Sequence, residues 1–427
     1  MGFRLTKQEK NWVLYDVGNS AFTLLVSTIM PIYFNHLAST AGLSDVDYLA
    51  YWGYAASIST LLVAILGPMF GTMADYKGFK KPIFLAFLAV GAVGCISLGF
   101  AKQWLLFLIL FIIAKVGYSG SLIFYDSMLP DVTDADRMDN LSSLGYAWGY
   151  IGSCLPFVLC LVPVLFADSL GLSMPAAMLI AFCITALWWV GMSLPLVKSY
   201  RQKHFVERRP GAVGAAFSRL WNTLKNARKE KKAFLFLLAF FFYIDGEYTI
   251  IDMATAYGSA LGLDSTGLLL ALLVTQIVAF PFAILFGRLA KNHSSEKLIS
   301  ICIMAYFGIA VFAIFLQHQW QFWTLAVLVG MFQGGIQALT RSYMGKIIPA
   351  ERSGAYYGLM DICGKGASFL GMLLISLINQ LTEGITLNIF GLTLRNANIA
   401  VSVLLLLFAI GFVLFCKADK LNKERKA

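Results

Sequence analysis

The residues of this chain most suited to chemistry are ionisable side chains that stand inside long apolar runs. Asp16, Lys115, Asp126, Asp245, Glu247, Asp252, Arg341, Asp361 and Lys365 all fall within such runs. A charge at the bilayer centre costs at least roughly 2 to 3 kcal/mol unless it meets a partner or water, so residues of this kind mark ion and solute pathways. Asp245 and Asp252 are seven positions apart and share a helical face, whereas Glu247 points nearly the opposite way. At most two of the three can easily line one cavity. Asp245 lies near the middle of its run, where desolvation favours the neutral acid and fits it to carry a proton. Pairing with a cation on another helix is the alternative.

Other combinations allow further roles. Lys115 stands mid-run, with Asp126 about three turns on along roughly the same face. Asp361 and Lys365 are spaced i,i+4 and can neutralise each other. Asp126 and Arg341 take matching positions in two related halves, each followed by serine, with the charge sign exchanged. If the halves meet there, the two could form a gate bridge; alternatively, the Arg341 fork suits a substrate carboxylate. Asp16, with Asn19 and Ser20 about one turn along, makes a polar face that could bind a cation or an ammonium group, or join helices. Opposed acids and cations along one pathway suit a zwitterion. Enzyme chemistry has no such foothold: the four histidines, His36, His204, His293 and His318, are scattered, and no nucleophile with a base, metal-ligand cluster or phosphate loop is present. No metal or cofactor is expected.

The elements that must hold these residues follow from composition. A chain of 427 residues that is 59% hydrophobic and 13% charged needs a bilayer as solvent. Unbroken apolar runs rather than ten-residue alternation make the spans helical. Runs of about 18 to 25 residues fall at 12–38, 49–73, 82–101, 104–128, 143–167 and 173–197. A second set falls at 233–260, 266–290, 297–317, 320–345, 354–378 and 396–416. The reading is an all-α membrane protein of twelve spans: a six-helix bundle over 1–197, a basic linker over 198–232, and a second bundle with its tail over 233–427.

The net charge of +10 sits in loops on one side of these spans, with Lys102 and Arg395 on the other. By the positive-inside rule, both termini are cytoplasmic. The loop 129–142 dissents with Asp131, Asp134, Asp136 and Asp139, although acids weigh little in that rule. The linker is read as a solvated, topology-enforcing segment, with 217–224 able to form a surface helix; nucleic acid is not needed to explain the charge. The seven cysteines lie in or beside apolar runs and are read as small packing residues. The first span is read as its own insertion signal.

Between spans 2 and 3 stands Gly71-Thr-Met-Ala-Asp75-Tyr-Lys-Gly78-Phe-Lys80-Lys81, and Gly287-Arg-Leu-Ala-Lys291 is its degenerate counterpart between spans 8 and 9. Glycine lets helices approach, an acid can cap or pair at a helix end, and the lysines anchor the loop. Such a clasp stabilises one gate conformation. This pattern resembles the signature loop of the major facilitator superfamily. More specific are Trp12 to Phe22, with Tyr15-Asp16; Leu129-Pro-Asp131 with Leu144 to Gly152; Gln333-Gly-Gly-Ile-Gln337 with Arg341-Ser342; and Tyr357-Gly358 with Gly364-Lys365. These resemble the "unknown major facilitator" branch that includes fungal vacuolar amino-acid effluxers linked to autophagy. Val17 and Gly18 depart from that pattern.

The resemblance implies a major facilitator fold and a secondary transporter working by alternating access, with a small solute such as an amino acid as substrate. A coupling ion, the proton before sodium, a cell-membrane location and a monomer are expected with it. Sodium-driven transport of sugars or lipid-like solutes, a lipid scramblase and a receptor of the same fold stay open on the residues alone.

Overall fold

Each apolar run becomes helix in the computed structural model, which describes residues 4–207, 231–389 and 392–424. In chain order the first helices are α1 (Lys7–Ser27), α2 (Ile29–Thr40), α3 (Asp45–Ala74), α4 (Lys80–Leu98), α5 (Trp104–Ser127), α6 (Leu129–Val132), α7 (Met138–Leu165) and α8 (Met174–Ser199). After the linker follow α9 (Lys231–Ala260), α10 (Ser265–Leu289), α11 (Ser295–Ile314), α12 (Gln319–Ile347), α13 (Ser353–Leu381), α14 (Asn396–Val401) and α15 (Val403–Glu424). Among the described residues, twelve segments are long and apolar enough to span, the first Lys7–Thr40 and the last Asn396–Lys420. The proposed surface helix at 217–224 lies outside the described residues.

The first span is not the continuous helix expected over 12–38. It breaks at Thr28, whose ψ of −66° comes with a φ of −128°. Pro31 follows within one turn and has no N–H to return to the Ser27 carbonyl, so the ladder cannot run through. The other end of α1 is a capping box: Thr6 Oγ1 accepts the Glu9 N–H at 3.2 Å, and Glu9 Oε2 accepts the Thr6 N–H at 2.7 Å. Among the described residues, strand structure is confined to a hairpin, β1 (Leu387–Ile389) with β2 (Leu392–Leu394), and a bridge between Tyr76 and Val206.

The chain divides into two compact units. Unit 1 is 1–135, 148–220 and 349–359; unit 2 is 136–147, 221–348 and 360–427. The start of α7 thus belongs to unit 2, and the start of α13 to unit 1.

Within unit 1, α4 and α5 approach through small residues. A Cβ on Gly117 would stand 2.2 Å from the Gly91 nitrogen, and one on Gly94 would stand 2.9 Å from Ala114 Cα. Without a hydrophobic force between helices in lipid, this close backbone contact supplies the attraction. Trp12 and Trp189 are completely buried, with Trp12 stacked on Tyr125 at 4.4 Å between ring centres. Leu61, Val93 and Leu187 remain more than half exposed, as side chains facing acyl chains do. Unit 2 uses the same device: Gly411 meets Tyr243, Gly246 meets Phe408, and Gly330 meets the Thr275 carbonyl.

Candidate functional site

The clasp of unit 1 is built from the end of α3, the start of α4, the α5–α6 turn and the start of α13. Asp75 follows α3 directly and takes the first free amides of α13: Oδ1 accepts Gly354 N–H at 2.7 Å, and Oδ2 accepts Ala355 N–H at 3.1 Å. This is a cap supplied from elsewhere in the chain, satisfying donors that a helix start otherwise leaves open. Gly71 and Gly354 make it possible, because a Cβ on Gly71 would stand 2.4 Å from the Gly354 oxygen. Burial pushes the Asp75 carboxyl up to about 7, against the opposing pull of Lys80, the two amides and Arg352.

Lys80 opens α4 and is completely buried. Its Nζ reaches Asp131 Oδ2 at 3.1 Å, the Ser127 carbonyl at 3.1 Å and Ser353 Oγ at 2.8 Å. Asp131, also fully buried, collects four further donors from the start of the linker. Tyr200 O–H gives to Oδ2 at 2.5 Å; Lys203 N–H, His204 N–H and His204 Nδ1 lie 3.1, 2.8 and 3.1 Å from Oδ1. Burial, with the Asp131 carboxylate beside it, holds the Tyr200 phenol well above its ordinary range, so it stays a donor. The linker segment also pairs with the signature loop, since Val206 N–H bonds the Asp75 carbonyl at 2.8 Å and Lys77 N–H bonds the Val206 carbonyl at 3.3 Å. Gly78 turns that loop at a φ of +79°, a conformation open to glycine, and gives its N–H to Gln202. Lys81 stays half-exposed outside the cluster.

Unit 2 carries a related cluster with its charges moved round. Asp139, in the first turn of α7, accepts from Ser342 Oγ at 2.5 Å and from Ser295 Oγ at 2.8 Å, and pairs with Lys346 Nζ. Lys346 also reaches Ser295 Oγ at 2.9 Å. The corners correspond: Ser295 at the start of α11 matches Lys80 at the start of α4, Lys346 matches Asp131, and Asp139 at the start of α7 matches Ser353 at the start of α13. Gly287 again marks the close approach, its notional Cβ 2.8 Å from Ser143 Cβ. The degenerate second copy therefore keeps its glycine, while its charges sit on other helix ends. Arg341 lies beside this cluster, its Nε donating to Ser142 Oγ at 2.8 Å, an NH2 group to the Ser142 carbonyl at 2.9 Å, and its guanidinium stacked 4.2 Å over Tyr146.

The remaining expected residues fall as follows. In unit 1, Asp16 and Asn19 are buried on α1, with Asn19 Nδ2 giving to Asp16 Oδ1 at 3.3 Å and to the Tyr15 carbonyl at 3.1 Å. Ser20 Oγ bonds the Asp16 carbonyl, and Tyr15 O–H reaches Ser121 on α5 at 2.6 Å. Lys115 is half-buried, 5.6 Å over the Phe111 ring, and Asp126 is half-buried on α5. In unit 2, Asp361 and Lys365 make the i,i+4 pair, at 2.5 and 2.6 Å. Asp245 and Glu247 are both fully buried but face different helices, Asp245 toward Gly371 of α13 and Glu247 toward Gln337 of α12. Asp252 is exposed, so the side shared with Asp245 does not give the two acids one environment.

Asp131 and Asp139 were legible only as loop acids against the positive-inside pattern, not as hubs. Their signal was there: acids at helix ends on an otherwise basic face, one beside Pro130 and one opening α7. Tyr200, His204, Ser295, Ser353 and Lys346 carried no individual signal, because long-range folding alone brings them to those carboxylates.

Twelve spans with charged groups buried inside them and clasped helix ends define a transporter of the major facilitator class. The fold agrees: the human organic anion transporter MFSD10 superposes with a TM-score of 0.71 at 13% identity, covering 96% of this chain and 100% of that one. Within the class, the chain belongs to the family described as "Vacuole effluxer Atg22 like", which matches residues 6–427. It is 41% identical over 416 residues to the uncharacterized MFS-type transporter YxiO of Bacillus subtilis, across 96% of this chain and 94% of that protein. It is 24% identical over 417 residues to autophagy-related protein 22 of Coccidioides immitis, across 79% and 68% of the two.

Proposed function

We propose that this multi-pass membrane protein is a proton-coupled secondary transporter that moves a small polar or zwitterionic solute, such as an amino acid, by alternating access. The observation that carries this reading is the set of ionisable side chains kept inside the spans: Asp16 and Lys115 in unit 1, and Asp245, Glu247 and Arg341 in unit 2. Structural lipid-facing helices have no use for them, and their desolvation cost is retained where a solute or ion must be met. Both signs are present, as recognition of an ammonium and a carboxylate requires.

The two helix-end clusters supply the mechanical part. The first ties the start of α13 to the end of α3, the start of α4 and the α5–α6 turn, and the second ties the start of α7 to the start of α11 and the end of α12. Releasing and remaking such ties is what an alternation between two access states demands. The effluxer name carried by the family and the superfamily fold favour movement of a solute over catalysis or signalling. On this reading the protein is a monomer in the cell membrane, with both termini and the linker 198–232 in the cytoplasm.

The test is flux into proteoliposomes for a panel of amino acids, small carboxylates and sugars under an imposed pH or sodium gradient, with ionophore controls. Uptake of one solute class that follows the pH gradient supports the proposal. Uptake that follows only sodium overturns the coupling ion, and lipid exchange without any gradient, with a silent solute panel, overturns the transporter reading in favour of a scramblase.

A further inference from the structure

Asp245 and Glu247 stand two residues apart on α9, yet their surroundings divide their work. Asp245 Oδ1 accepts two hydrogen bonds, from Gly371 N–H at 2.9 Å and from Thr249 O–H at 3.2 Å, while its Oδ2 has no partner. A Cβ at Gly371 would stand 2.5 Å from that same Oδ1 and 2.2 Å from Thr249 Oγ1. Asp245 is therefore a brace that holds α9 against the backbone of α13.

Glu247 has a different setting. Its Oε1 accepts Gln337 Nε2–H at 2.8 Å, the Tyr306 hydroxyl of α11 faces it as a second neutral donor, and it enters no ion pair among the described residues. The titratable groups around it are Tyr243 and Asp252 on its own helix, and Cys302 and Tyr306 on α11; α12 meets it with the uncharged Gln337. None of these is a cation. An ionised carboxylate in such a place would be a buried charge met by neutral donors and no cation, whereas a neutral acid keeps Oε1 as acceptor and leaves only a hydroxyl to satisfy.

A cavity of about 40 Å³ lies between α9, α10 and α12, lined in part by Ile250, Thr275, Gln276, Leu325 and Gln333. Ile250 is three residues past Glu247 on α9, and Gln333 is one turn before Gln337 on α12. Both steps lead away from the helix end that carries Lys231. Gln333 is nine-tenths buried, and its Oε1 has no partner. The volume holds at least one water, and Thr275, Gln276 and Gln333 supply the polar contacts that an ordered water needs.

We propose that Glu247 is a proton-binding carboxyl, occupied in this conformation and reached through the cavity at Gln333. On release, the Oε2–H bond breaks and its proton passes to a cavity water, giving hydronium and a carboxylate held by Gln337. On uptake the same step runs backward. The assignment gives the proton-coupled reading its residue and rests on that reading for its part in transport.

The test is infrared difference spectroscopy on the full chain in liposomes, with protons and deuterium oxide as the only probes. The wild type is expected to show a protonated-carboxyl carbonyl band that shifts in deuterium oxide and is absent from Glu247→Gln. Asp245→Asn keeps the band. Gln337→Leu moves it to higher frequency, because the carbonyl loses its donor, and this variant carries the test if Glu247→Gln does not fold. Gln333→Leu slows the deuterium shift several-fold. A band that survives in Glu247→Gln, or one that Gln337→Leu leaves in place, overturns the assignment. No solute is present, so a silent flux panel and a missing band are separate failures.

Discussion

Adjacent lysines of the signature loop give the sharpest test of the clasp. Lys80 is wholly buried with its Nζ on Asp131, Ser127 and Ser353, while Lys81 is half-exposed and outside the cluster. Replacing Lys80 by methionine keeps the stem and removes the charge, which leaves Asp131 buried without its lysine. Breaking a buried pair by deleting one partner costs about 3–5 kcal/mol. The Tyr200 hydroxyl, the Lys203 and His204 amides and the His204 ring still surround Asp131, so the lower figure, about 3 kcal/mol, applies. Lys81→Met should change stability by about 0.5 kcal/mol or less, as for an ordinary surface position. The assay is thermal unfolding of the purified protein in detergent, with the double variant Lys80→Met/Asp131→Asn included. Lys80→Met is expected to lower Tm by several degrees, Lys81→Met to leave it in place, and the double variant to recover part of the loss because the stranded charge is gone. Equal melting of the two single variants would refute the buried clasp, as would a double variant that melts no higher than Lys80→Met.

Asp75 titrates at about 7 in the intact clasp, above the 3.8 of a solvated aspartate, so between those values the clasped state binds more protons than a released one. The stability this adds is full below the lower value and is lost as pH rises through the upper one. Raising pH from about 5 to about 8 should therefore loosen the Asp75 contact with α13. Amide exchange of the Ser353–Leu359 segment, corrected for the intrinsic pH dependence, should speed up over that range, and Asp75→Asn should abolish the trend. Gly371→Ala forces a methyl onto Asp245 and Thr249 and is expected to cost about 1–3 kcal/mol. Gly308→Ala, with nothing near its notional Cβ, should be neutral or stabilising by up to about 1 kcal/mol; Tm values compare the two. Arg341→Lys loses the Nε bond to Ser142 and the flat stack on Tyr146, so it should slow solute uptake about tenfold or more while a folded protein is retained; wild-type flux would show that only charge matters there.

The sequence by itself determined the twelve spans, because the bilayer admits only segments that satisfy their own backbone, and an apolar run of the right length leaves helix as the outcome. It also determined the local pairs: Asp361 with Lys365 and Asp16 with Asn19 follow from helical spacing alone. The repeated glycines Gly71 and Gly287 were legible as close-approach points, and both are. The tertiary structure alone decided which of two neighbouring lysines is buried and where the matching acid lies, since Lys80 meets Asp131 at a separation of 51 residues and Lys346 meets Asp139 at 207. It decided, too, that Asp245 braces a glycine backbone while Glu247 faces a glutamine and a cavity. Helical periodicity tells that two acids point apart, but what each meets depends on which helix the fold sets there.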